Sequence, residues 1–268
     1  MMKTPLSYLR SYQRIAKLES NTHLRASHTK NKHAVDEAKR LHAKMYLHSG
    51  YVSADEIGKN KILRKSIDPY QAHANYFIVR NHAQPHKPVV ATARQIHHVH
   101  KHGHNSFPTI KELELYPEIK KSILALDPAK CVEISGLAKD HDVSSAAAMI
   151  LYRALWHHSL RRGHHVWLMA CDARVFKNLE FLFGDSLIRI GDNTFYMGSE
   201  VVPAMFEVHR SIDPLIQDTK SRNPYMRGMK RNLVHFFMQG LSVKFHQLQK
   251  RAVVPSREIA KAVNSRSL

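Results

Sequence analysis

The sequence predicts an α+β fold: a mixed, mostly antiparallel central sheet, a β-α-β-α unit in its second half, and helices at both ends. Three observations carry this. First, residues 131–185 alternate strand and helix. CVEISGLA is an apolar, β-branched run, AAAMILYRALWHHSLRR has helical character, VWLMAC is a second buried strand, and ARVFKNLEFLF is a second helix. A strand, helix, strand order at this spacing is a crossover, which makes the two strands parallel. Second, NYFIVR (75–80) and PVVATARQI (88–96) flank a polar HAQPHK turn and read as an antiparallel pair. Third, the chain is 43% hydrophobic over 268 residues, with no repeat and no glycine- or serine-rich linker, enough for one full core.

The remaining elements follow along the chain. Residues 5–19 place Leu6, Leu9, Tyr12 and Ile15 on one helical face, and residues 34–48 form a second helix running to Gly50. Ala54 to Lys65 reads as a third helix, and Lys111 to Leu124 as a short one inside the polar, proline-containing stretch 97–129. In the crossover unit Asp142 or Ser144 is placed to cap the helix, Gly163 stops it, and Gly184 ends the next. SLIRIGD (186–192) and VVPAMFEV (201–208) are two further strands, and Pro224 to Arg251 is one long helix. The organisation expected is a helical extension over 1–30, a main domain over 31–210 and a second helical extension over 211–268.

Composition bounds the function. No run is long enough to span a bilayer, and MMKTPLSYLRSYQRIAK lacks the apolar core of a signal peptide, so a cytoplasmic protein is expected. Cys131 opens one parallel strand and Cys171 closes the other, at opposite ends of the sheet, so a disulfide between them is not expected. Lys and Arg number 41 against 22 acids, a net charge of +19, which suits a polyanionic partner. The basic residues form no single stripe and accompany no helix-turn-helix, zinc-finger or RNA-recognition signature, so nucleic acid is not the expected partner.

One residue asks for a chemical explanation. Glu133 is the only acid in an otherwise apolar strand, and burying a carboxylate is costly. It either pairs with a base for structural reasons or is a proton acceptor held near neutral pKa.

RLHAKMYLHSGYV (40–52), SIDPYQAHANYFIVR (66–80), VVATARQI (89–96), CVEISGLAKD (131–140) and the FGDSLIRIGD–VVPAMFEV ending together resemble the GNAT-like (acyl-CoA N-acyltransferase) fold. The branch is the one holding autoinducer (acyl-homoserine lactone) synthases and N-acyl amino acid synthases, the latter being the more similar. The resemblance covers residues 35–208. It implies Glu133 as the catalytic carboxylate of a Glu-x-Ser-Arg pattern, with Ser135 matching and Gly136 where arginine is usual. It puts the preceding strand's arginine on Arg94, and it matches an Asp-x-x-Asp stretch at Asp68 but not at Gln71. The early helix's arginine is replaced by His42 and the aromatic after it by Tyr46. Arg94, Asp68, Ser135 and Tyr46 are therefore the implied substrate-binding residues. The fold's splayed parallel strands would free backbone N–H groups for an oxyanion near Leu137 and Ala138.

The implied reaction is transfer of a long-chain acyl group to the α-amine of an amino acid, tyrosine-like by resemblance alone. It needs no metal or other cofactor. The strand–helix turn KDHDVSSAAA has none of the glycines with which relatives bind the pyrophosphate of coenzyme A. Acyl carrier protein, strongly acidic, is the expected partner and co-substrate. Two alternatives stand beside this: an autoinducer synthase using S-adenosylmethionine, and a non-catalytic basic module, binding nucleic acid or membrane, on a degenerate acyltransferase fold. A degenerate fold has no reason to keep Glu133.

Other features have milder readings. His98, His100, His102 and His104 fall on one side if extended, a possible metal array whose default is a solvated loop. His157, His158, His164 and His165 flank a helix end, where imidazolium complements the dipole. Phe236, Phe237, Leu241, Phe245 and Leu248 give the last helix an apolar face, to pack on the domain or to lie peripherally on the inner membrane surface.

Overall fold

The computed structural model describes residues 23–218, 220 and 224–241. Along these the elements are β1 (Leu24–Thr29), α1 (Lys32–His48), β2 (Ala74–Asn81), β3 (Val89–His97), α2 (Pro108–Glu112) and α3 (Pro117–Leu124). There follow β4 (Cys131–Lys139), α4 (Ala146–Arg162), β5 (Val166–Asp172), α5 (Ala173–Phe183), β6 (Leu187–Arg189), β7 (Thr194–Tyr196) and β8 (Ser199–Glu207). Two helices close the described chain, α6 (Asp213–Asp218) and α7 (Pro224–Met238).

The strands form one eight-stranded sheet in the order β1-β2-β3-β4-β5-β8-β6, with β7 also on β8. Every pairing is antiparallel except β4 with β5. The α+β class and the β-α-β-α unit are therefore as predicted. Alternation along each strand divides the core. Phe77, Val79, Ala91, Ala93, Val132, Trp167 and Met169 face α4, α5 and α7. Tyr76 and Ile78 face α1. Cys131, Leu168 and Met205 face α2 and α3.

α4 is fixed to the sheet by a buried polar relay. Gln95 Nε2 donates to Ser159 Oγ at 2.8 Å, and Trp167 Nε1 donates to the same oxygen at 2.7 Å. Gly163, left-handed at φ 69°, terminates α4 as its spacing predicts. The start of α4 differs. Neither Asp142 nor Ser144 caps it; the N-cap is Ser145, which makes no side-chain cap bond. Lys139 Nζ instead binds the carbonyls of Asp140 and Val143, and Asp140 pairs with Lys44 at 3.1 Å, so lysines tie down this turn.

Four other expectations are corrected. Residues 24–29, placed in a helical extension, form edge strand β1, antiparallel to β2. Ala54 to Lys65 is not a helix. Only Ala54–Glu56 makes a 3₁₀ turn, after which Gly58 and Asn60 turn the chain back so that Ile57 bridges Leu63. The Asn60 side chain accepts from the Ile62 N–H, a local bond that competes with helix. The single helix over 111–124 is two, α2 and α3, each with proline in its first turn; Pro117 biases the residue before it out of helical conformation. The last helix stops at Met238, with Gly240 at φ 82° beyond it, short of the expected Arg251. The expected 5–19 helix, and Phe245 and Leu248, lie outside the described residues.

Nothing in the sequence marks β7 as a strand. Its hairpin with β8 turns on Met197 and Gly198, both at positive φ, the backbone that a tight two-residue turn requires. A Cβ on Gly198 would fall 2.7 Å from Gly50 O, so this turn packs directly on the end of the α1 loop.

Candidate active site

The sheet opens where its polar residues gather. β4 and β5 pair only over Cys131–Glu133 and Val166–Leu168; past that point β4 stays with β3 and β5 with β8. A bulge drives the parting. Thr92 faces Ala138 and Arg94 faces Ser135, so Gly136 and Leu137 together oppose Ala93. Gly136 takes the left-handed conformation (φ 59°) that such a bulge favours, and the bulged strand bends.

A cavity of about 190 Å³ runs through the gap, against the ~10–15 Å³ that houses one water. Its two ends differ in chemistry. Toward α1 it is lined by His42, Asp68, Arg94, Glu133 and Ser135, with Tyr46, Tyr51, Tyr70 and Tyr196 around them. Across the sheet, on the α4 face, it is lined by Trp156, Met169, Leu179, Phe183, Phe206 and Phe237.

Glu133 is 2% exposed. Its Oε2 accepts from the Thr109 N–H and its Oε1 from Thr109 Oγ, both at 2.9 Å. Burial pushes its pKa up to about 7; the two Thr109 bonds and the nearby Arg94 charge hold it from rising further. Arg94 Nη1 donates to Asp68 Oδ2 at 2.5 Å, and its Nη2 makes a longer contact of 3.4 Å to Ser135 Oγ. Burial disfavours the guanidinium charge, but the Asp68 carboxylate outweighs it and raises the Arg94 pKa. Burial, then Arg94, lowers His42 to about 3, so its imidazole is neutral. Burial raises Tyr46 and Tyr196 to about 12, leaving both phenols protonated.

Four buried polar atoms at this end make no hydrogen bond: Asp68 Oδ1, Arg94 Nε and His42 Nε2 of the cavity lining, and Tyr76 OH, on the residue paired with Arg94 across the strands. Unsatisfied buried groups are rare because each forfeits its hydration. Here two ion-pair members and a neutral imidazole offer their spare donors and acceptors in one cavity.

Of the residues singled out from sequence, Glu133, Arg94, Asp68, Ser135, Tyr46 and Leu137 line this cavity. Ala138 does not; it packs against Leu41 and Met45 under α1. Gly136 has little room for a side chain. A Cβ there would be 3.2 Å from His42 Cε1 and 3.4 Å from Arg94 Nε, on a backbone that larger residues rarely adopt. Thr109, Tyr70 and Tyr196 went unnoticed in the sequence. Tyr70 OH donates to Glu112 Oε1 at 3.1 Å, and Tyr51 OH to Asp172 Oδ2 at 3.0 Å.

The histidine-rich segment does not extend. His100–His102 and His104–Ser106 are 3₁₀ turns, held by Ser106 Oγ bonds to the Val99 and Gly103 backbone. Among the described residues no group of three or more His, Cys, Asp or Glu has metal-binding geometry. Cys131 and Cys171 are both free and buried. Among the same residues no helix is long and apolar enough to cross a membrane. Phe236 and Phe237 of α7 are buried in the core, so in the described part of that helix the apolar face packs on the domain.

Sheet order, bulge and gap define a GNAT-like acyltransferase fold. Solved structures with the same fold include FeeM, an N-acyl amino acid synthase from uncultured soil microbes, at 15% identity and a TM-score of 0.52, covering 71% of this chain and 93% of that one. The coenzyme A-dependent acyl-homoserine lactone synthase BjaI matches at 12% identity and TM-score 0.52, covering 79% and 89%. The acyl-homoserine lactone synthase LasI matches at 16% and 0.50, covering 69% and 89%. At these identities the likeness is one of fold. No family model and no curated protein matches the sequence.

Proposed function

We propose that this protein is an N-acyltransferase that moves a long-chain acyl group from the thiol of acyl carrier protein to the α-amine of an amino acid. The observation that carries this is a carboxyl group held near neutral pKa at the polar end of a cavity whose other end is apolar. A base with pKa near working pH is the group that amine activation needs.

The acceptor's ammonium gives one proton to the Glu133 carboxylate, directly or through a water, and its nitrogen attacks the thioester carbon. The C–N bond forms, and the tetrahedral oxyanion meets backbone N–H groups where β4 has left β5, beside Leu137. Collapse breaks the C–S bond, and the proton held by Glu133 goes with the departing thiol; the second ammonium proton, still on the nitrogen, passes to the vacated carboxylate and on to solvent, leaving a neutral amide. Thr109 keeps the carboxyl group oriented through both steps, and the apolar walls keep water from competing.

The spare atoms of Asp68, Arg94 and His42 suit the zwitterionic end of an amino acid, with the guanidinium toward its carboxylate. FeeM is an N-acyl amino acid synthase by name, which favours the same acceptor class here. The net charge of +19 and the lysine-tied, glycine-free turn before α4 favour an acidic carrier protein over coenzyme A as donor.

Mass spectrometry of lipid extracts from cells producing the protein tests this reading. N-acylated amino acids above the background of cells with the empty vector are expected. Their absence, or the appearance of acyl-homoserine lactones instead, would overturn it.

A further inference from the structure

α7 lies C-terminal to residues 35–208, which carry the resemblance to acyltransferases, yet it contributes a side chain to the cavity. Phe237 lines the apolar end and is 2% exposed. Its ring meets Trp156 of α4 at 5.8 Å and Phe183 of α5 at 5.7 Å, both edge to face, and these two rings also line the cavity. Trp156 cannot swing away freely, since its Nε1 donates to Val208 O at 2.8 Å. Phe237 is thus held from two sides at the helix layer on the face of the sheet opposite Glu133.

The helix end bearing this ring is clamped as well. The last carbonyls of a helix lack intrahelical donors. Arg153 and His157, one turn apart on α4, supply them: Arg153 Nη1 donates to Phe236 O at 3.2 Å, and the His157 ring lies 2.7 Å from Phe237 O through Nε2. The Arg153 guanidinium also sits 4.1 Å over the Phe236 ring. Two polar side chains of the helix beside the cavity therefore fix the height of Phe237 within it.

We propose that Phe237 is the floor of the acyl-binding cavity and sets the longest acyl chain the protein accepts, with Arg153 and His157 as its positioning residues. The assignment rests on the acyltransferase reading above and adds to it the residue that determines donor specificity. An aliphatic chain entering between β4 and β5 has its ω-end stopped by a ring that packing and hydrogen bonds prevent from moving.

The test is the acyl-length profile of the N-acyl products of Phe237→Ala and Phe237→Leu. Phe237→Ala should move the profile toward longer chains by about two to four carbons, the length of the ring removed. Phe237→Leu keeps more of the packing and should move it the same way by less. Leu233→Ala serves as control: Leu233 is buried on the same helix but lines no part of the cavity and takes no part in the clamp, so its loss loosens α7 and should leave the profile where it was. A Phe237→Leu enzyme that turns over with an unchanged profile overturns the assignment and leaves the acyl-transfer reading intact. If the wild type forms no acylated amine, that reading fails instead. Cavity depth is then read from the rise in melting temperature caused by free fatty acids of graded length. A longer optimum in the Phe237 variants supports the floor assignment, and identical optima overturn it.

Discussion

Among single residues, Glu133 and the threonine that holds it matter most to the proposed chemistry. Thr109 donates twice to the carboxyl group, and both bonds favour the ionised form. Thr109→Val keeps the backbone donor and shape but removes the hydroxyl bond to Oε1. The Glu133 pKa should then rise above about 7, and the pH at which the transfer rate reaches half its plateau should move alkaline with it. A pH–rate profile superimposable on the wild type's would show that Thr109 does not tune the base. Little of this pairing was legible in the sequence. Glu133 announced itself as an isolated acid in an apolar strand, whereas Thr109 sits in an unremarkable Phe-Pro-Thr-Ile stretch 24 positions away. Only the folded chain, by laying α2 across the end of β5, brings the two together.

At the scale of elements the decisive feature is the bulge at Gly136, which parts β4 from β5 and so creates the cavity. Gly136→Ala would put a Cβ 3.2 Å from His42 on a left-handed backbone. We expect a loss of about 1–3 kcal/mol in unfolding free energy, together with a raised acceptor KM as His42 and Arg94 are displaced; denaturant unfolding and steady-state kinetics check the two separately. The β-α-β-α unit was readable because long apolar runs bounded by Gly163 and Gly184 specify their own elements. What failed to be readable were short elements decided by local competition. Ala54–Lys65 had a helical composition, but Gly58 and the Asn60 side chain turned it back. The side-chain cap expected from Asp142 or Ser144 does not form, and the turn is held through its carbonyls by Lys139. β7 exists only because Met197 and Gly198 accept positive φ.

At the scale of the whole molecule, charge and protonation make two predictions. His28, His97, His158 and His164 are neighbours where β1, β3 and α4 meet, with ring centroids 4.7–6.5 Å apart in sequence of contact. Burial lowers all four pKa values, His158 to about 4 and His164 to about 3, and Arg162 pushes the same way. These rings bind protons less readily in the folded than in the unfolded chain, so they take stability away as pH drops from about 6.5 toward 4, and they outnumber Glu133 and Glu207, whose raised pKa values act in the opposite sense below about 7. The melting temperature should decline over that window, and His164→Phe should lessen the decline; a flat curve in the wild type would contradict the assignment. The +19 charge makes the second prediction. Transfer from acylated carrier protein should weaken steeply as salt rises, because long-range attraction governs encounter and is screened over about 10 Å at 0.1 M. Transfer from acyl-coenzyme A that is as fast or faster, and indifferent to salt, would place the donor with coenzyme A instead.

If Glu133 takes the proton from the attacking amine, as proposed, the rate of thiol release from acylated carrier protein in the presence of amino acids reports that step. In the wild type that rate should climb with pH through about 7 and then level. Glu133→Gln, which keeps the size and both bonding positions of the side chain, should fold normally, lose about 10²–10⁴-fold in rate and lose the rise near pH 7. A folded Glu133→Gln protein that releases thiol at the wild-type rate, with the wild-type pH profile, would contradict the account.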